Sequence, residues 1–182
     1  MLRFLKNILQ LILSPENGWE EISHDGESIE RLTAEGLYPL FGLAAITVFI
    51  QGLYVRTFQL VPTLQKAMAV FIVLFIAFFI GKALMEAYLA RFTDGEPGNR
   101  QAATFTVYIM ALLAMIQILT NCVPVEVPLL LFLPAFVAPV IWKAKNWLDI
   151  LPRLEGSFMM FAIGVLLMPT ICLNCLMNLL FF

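Results

Sequence analysis

Residues 67–89 read AMAVFIVLFIAFFIGKALMEAYL. The first fifteen positions of this run carry no charge. A transmembrane helix needs roughly 20 mostly apolar residues, and this stretch supplies them. It is apolar continuously, whereas a membrane β-strand alternates over roughly 10 residues. The stretch therefore predicts a membrane-spanning helix. Four further windows qualify: residues 37–54, 102–122, 127–142 (short) and 157–180. Backbone groups in lipid must satisfy one another, so an all-α integral membrane protein with five transmembrane helices is the expected fold class. Composition agrees. Hydrophobic residues make up 61% of the 182 positions and charged residues 13%, against roughly 45–50% and 25% in a soluble domain. A soluble enzyme, a disulfide scaffold and a disordered regulator are poor fits to these values.

The charges that exist are concentrated at the start. Residues 1–36 hold seven acids against three bases. This gives an expected division into a cytoplasmic amphipathic and acidic segment, 1–36, and a five-helix membrane domain, 37–182. Within the first thirteen residues, Arg3, Lys6, Asn7 and Gln10 fall in one arc of a helical wheel, with Phe4, Leu5, Ile8, Leu9, Leu11 and Ile12 covering the rest. That pattern predicts an amphipathic helix in the membrane interface rather than a signal peptide, with Arg3 and Lys6 toward anionic headgroups. Phe4 and Trp19 are expected to join this interfacial contact. Ser14-Pro15-Glu16 is a helix-start signal, with Ser14 placed to cap. Trp19 and Ile22 share a face at three-residue spacing. His24-Asp25-Gly26 reads as a turn.

Orientation follows from lysine and arginine in short loops. With the N-terminus inside, eight of them lie on the cytoplasmic side and two, Arg56 and Lys66, outside. The expectation is a multi-pass protein of the cell (inner or plasma) membrane with a cytoplasmic N-terminus and an extracytoplasmic C-terminus. Trp142 and Trp147 bracket a basic loop in the manner of interfacial anchors.

Lys82 and Glu86 are the exception to an almost uncharged body. Four residues apart, they share a helical face. Intramembrane charges read either as a structural ion pair or as an ion or substrate path. Tyr108 and Gln117 in the third span complete the candidate intramembrane polar site. Thr104, Thr106, Thr120 and Asn121 add hydrogen-bonding capacity between helices or along a pore. Ala77 to Gly81 and Ala83 to Ala87 permit close helix packing. Prolines at 134, 139 and 169 are expected to interrupt spans four and five, as in broken transporter helices. Cys172-x-x-Cys175 lacks a surrounding βαβ pattern, so packing is its default reading; Cys122 and Cys175 could pair. No phosphate-binding loop, nucleophile elbow or zinc-protease motif occurs. No catalytic residue, metal or cofactor is expected, and a net charge of −2 gives no argument for nucleic acid.

Ser14-Pro15, then Trp19-Glu20-Glu21-Ile22, then Tyr38-Pro39-Leu40 opening the first span, resembles the prokaryotic branch of the Ypt/Rab-GTPase-interacting protein (YIP) domain family. Gln101-Ala102-Ala103 and Tyr108 entering the third span fit the same pattern. The resemblance implies a five-helix membrane protein with a cytoplasmic N-terminus; eukaryotic members bind Rab GTPases and one another. The expected function is a membrane scaffold or adaptor, not an enzyme. Its partners would be the bilayer and other membrane proteins, or further copies of itself. The alternative is a small ion or solute transporter using Lys82 and Glu86.

Overall fold

A computed structural model describes residues 2–54, 58–93, 99–123 and 134–181. Among these residues every regular element is helical, in eight α-helices, and the only bridge is an isolated one between Thr93 and Ile150. Helix α1 (Leu2–Leu13) turns through Ser14 into α2 (Pro15–Asp25). A short α3 (Ile29–Arg31) continues through a π-helical turn, Leu32–Leu37, into α4 (Tyr38–Leu53). The chain continues with α5 (Leu60–Tyr88), α6 (Asn99–Cys122), α7 (Val137–Trp147) and α8 (Glu155–Phe181).

Among the described residues four stretches are long and apolar enough to cross a membrane: Ile29–Leu53, Leu60–Arg91, Asn99–Cys122 and Pro152–Leu173. The expected fourth span, 127–142, is described only from residue 134 onward. Residues 127–133 lie outside the described residues, as do Arg56 and residues 94–98. The described part of this window is a 3-10 turn at 134–136 and the start of α7. The 11 residues of α7 rise only about 16 Å, too short to cross alone.

The first span begins earlier than hydropathy suggests. Pro39 has no N–H to continue an α-helical ladder. The chain accommodates it with a wider turn, in which the Tyr38 N–H reaches back five residues to the Thr33 carbonyl. The expected boundary between residues 36 and 37 therefore falls inside a continuous helical path. One hydrophobic core runs from Phe4 and Trp19 to Phe158 and Leu166, so the N-terminal segment is built into the bundle.

Helix α6 is the axis of that core. In its apolar window 72% of residues are buried, against 28–44% in the other three spans. Every residue from 102 to 114 is buried. Its alanines and threonines explain this, because small side chains let neighbouring backbones approach from several sides. On α5, Ala77 and Gly81 face inward, and a Cβ on Gly81 would come within 2.8 Å of Leu166 in α8. Ala83 and Ala87 face outward instead. Pro169 does not interrupt α8, which continues through it. Pro139 lies in the first turn of α7, where its missing N–H costs little. The loops after α5 and α7 are tied by the Leu151 N–H donating to the Phe92 carbonyl at 2.9 Å. All three cysteines are free.

Candidate functional site

Helices α1 and α2 cap one end of the bundle around Trp19. Trp19 is 1% exposed. It stacks on Trp147 at 5.0 Å and meets Tyr108 edge-on and Phe105 at a tilt. Its indole N–H donates to the Val140 carbonyl at 2.9 Å. The expected i,i+3 pair thus exists, with Trp19 and Ile22 both buried. Its partner is protein rather than lipid. Phe4 is likewise buried, against Tyr108. Neither residue makes the interfacial membrane contact expected of it, because α7 and α6 cover them. Trp147 is an element of the same knot and not a free interfacial anchor.

The wheel of α1 divides in three. Phe4, Ile8 and Leu11 face the protein. Leu2, Leu9, Ile12 and Leu13 face outward. Arg3, Lys6 and Gln10 form the remaining polar edge. Asn7, expected on that edge, instead points inward. Its amide donates to Asp25 Oδ2 at 2.8 Å and to Tyr108 Oη at 3.1 Å. A wheel shows that Asn7 borders the apolar arc; it cannot show that a tyrosine 101 positions away awaits it.

Ion pairs fasten the cap at its rim. Lys6 meets Glu21 at 2.7 Å and Lys143 meets Glu16 at 2.9 Å. The Glu21 carboxylate holds the Lys6 ammonium above its ordinary pKa, and Lys143 holds the Glu16 carboxyl below the usual range. Lys145 pairs with Glu155 at 2.6 Å and lies over the Trp142 ring. Ser14 makes no side-chain cap bond; its carbonyl accepts from Gly18 N–H, carrying the chain from α1 into α2. Gly26 closes α2 in the left-handed conformation at φ 58, as the turn reading requires.

Two crevices open beside the cap. One of about 410 Å³ lies between α1 and the π-helical turn. The other, of about 250 Å³, is lined by Asp25, Arg100, Gln101, Thr104 and Tyr108. Arg100 donates to the Glu27 carbonyl at 3.0 Å, tying α6 to the loop after α2.

The expected intramembrane polar site is not one site. Lys82 and Glu86 pair with each other at 3.8 Å on α5, their side chains 32% and 30% exposed. Tyr108 belongs to the cap. Gln117 donates to Asn121 Oδ1 at 3.0 Å. Asn121 in turn donates to Thr47 Oγ1 at 3.0 Å and the Ala44 carbonyl at 3.2 Å, fastening α6 to α4. Replacing Asn121 with leucine should cost about 1 kcal/mol, the scale of interhelical hydrogen bonds in membranes, read as a lowered thermal midpoint in detergent. Among the described residues no group of three or more His, Cys, Asp or Glu is placed to hold a metal. Comparison with protein families, with curated proteins and with solved structures finds no match.

Proposed function

We propose that the chain is a polytopic membrane scaffold or adaptor of the YIP type. It has five spans, a cytoplasmic N-terminus and an extracytoplasmic C-terminus in the cell membrane, with α1 lying in the bilayer interface. The observation that carries this reading is the use made of the polar groups of α6. Thr106 donates to the Ala102 carbonyl, Thr120 to the Ile116 carbonyl, and Gln117 and Asn121 serve the contact with α4. Around them the axis is filled by Phe41, Phe78, Phe105 and Phe158. Polar groups satisfied within their own helix, or spent by Asn121 on the contact with α4, favour a rigid body over a conduit. The ion-paired cap then presents a fixed acidic and basic surface to a partner, which would be another membrane protein or a second copy.

The transporter alternative draws on Lys82 and Glu86. Replacing both by leucine removes the pair together with the cost of holding charges in an apolar span, so Lys82→Leu with Glu86→Leu is expected not to lower the thermal midpoint. Partner recovery by crosslinking in native membranes should be unchanged as well. Ion or solute flux in proteoliposomes that Glu86→Gln abolishes would overturn the scaffold reading. A C-terminal reporter active only in the cytoplasm should be silent; activity would reverse the orientation.

A further inference from the structure

We infer that the crevice between α1 and the π-helical turn binds an ethanolamine-type zwitterionic lipid headgroup, its phosphate on Arg3 and Arg31 and its ammonium on Glu27 and Glu35. The inference rests on the interfacial placement of α1 proposed above. The crevice measures about 410 Å³, and these four side chains line it. Two arginines balance two glutamates, so its formal charge is zero. A simple anion would meet two carboxylates there, and a simple cation two guanidiniums. A dipolar ligand satisfies both. Guanidinium groups fit phosphate oxygens bidentately, and a primary ammonium offers three N–H donors to carboxylates. A choline headgroup offers none, which selects ethanolamine.

Two further features suit a lipid. Apolar Leu2, Phe4 and Leu32 also line the crevice, and Leu2, 85% exposed, continues into the outward apolar arc of α1. Acyl chains would follow that arc. Leu32, Glu35 and Gly36 belong to the π-helical turn, a conformation that is rare and frequent at functional sites. Arg31 and Glu35 already pair at 3.0 Å, with side chains more than half exposed. Such a pair is weak enough for a ligand to insert into it.

The test uses the full chain in mild detergent, with native mass spectrometry after titration with phosphatidylethanolamine, phosphatidylcholine and phosphatidylglycerol of equal chain length. Phosphatidylethanolamine should be retained about fivefold over the other two. Glu27→Gln with Glu35→Gln leaves two arginines and should shift the preference to phosphatidylglycerol. Arg3→Gln, on an exposed position, should reduce the preference for ethanolamine without touching the fold. Equal retention of all three lipids, or an unchanged preference in both variants, would overturn the inference. Tighter binding of soluble glycerophosphoethanolamine than of the lipid would overturn the lipid as ligand. A nitroxide at Leu9 reads the placement of α1 separately. Leu9 in lipid without an ethanolamine preference defeats this site alone, whereas Leu9 in water defeats the interfacial reading.

Discussion

Trp19→Ala should destabilise the protein by about 3–5 kcal/mol, the range for deleting a large buried aromatic side chain. The loss concentrates in the cap, because Trp19 touches Trp147, Tyr108 and Phe105 at once. Thermal unfolding in detergent should shift downward, and amide exchange should quicken across residues 2–25 while α5 stays protected. Trp19→Phe separates packing from hydrogen bonding. It keeps most of the apolar contact but loses the donor to the Val140 carbonyl, at a cost of about 1 kcal/mol. An unchanged midpoint for Trp19→Ala would show that the N-terminal helices do not bear on the bundle.

Gly18→Val is expected to cost about 3 kcal/mol through overpacking. A Cβ at Gly18 meets Leu11 Cδ2 at 2.9 Å and, more consequentially, the Leu11 Cα and N at 3.0 Å. Two of these three contacts are backbone, so no rotamer change relieves them, and the α1–α2 hairpin must open. Gly18→Ala should be milder, since helix propensity returns about 1 kcal/mol. Gly36 provides the contrast. There the three atoms nearest an added Cβ all belong to the Phe4 ring, the closest at 2.8 Å. Phe4→Leu should therefore rescue part of the Gly36→Ala defect, whereas Leu11→Ala should not rescue Gly18→Ala. A double-mutant cycle on thermal midpoints measures both couplings. Rescue at Gly18 equal to that at Gly36 would contradict the backbone explanation.

The apolar run of α5 was legible because lipid leaves one solution for an uninterrupted hydrophobic stretch. The helical character of the other spans was legible for the same reason. The start of the first span was hidden, because residues 29–36 are polar enough to look like a loop, and the π-helical turn answers to Pro39 through a hydrogen bond that hydropathy does not register. The cap shows the sharper boundary. Periodicity identified the apolar arc of α1 and the shared face of Trp19 and Ile22. It could not say which half of that arc meets protein. That choice depends on Tyr108 and Val140, which lie 101 and 121 positions from Asn7 and Trp19. Grouping Lys82, Glu86, Tyr108 and Gln117 failed similarly: polarity within an apolar body marks residues that need partners, and each found a local or cap partner of its own.

In the proposed placement, α1 is held between the bundle on one side and the bilayer interface on the other. Nitroxide accessibility in lipid bilayers tests it most directly, with Cys122, Cys172 and Cys175 replaced by serine and single labels placed at Leu2, Leu9, Leu13, Arg3 and Gln10. Labels at Leu2, Leu9 and Leu13 should collide preferentially with oxygen dissolved in the lipid, and labels at Arg3 and Gln10 with an aqueous nickel complex. Equal nickel access at all five positions would contradict the account.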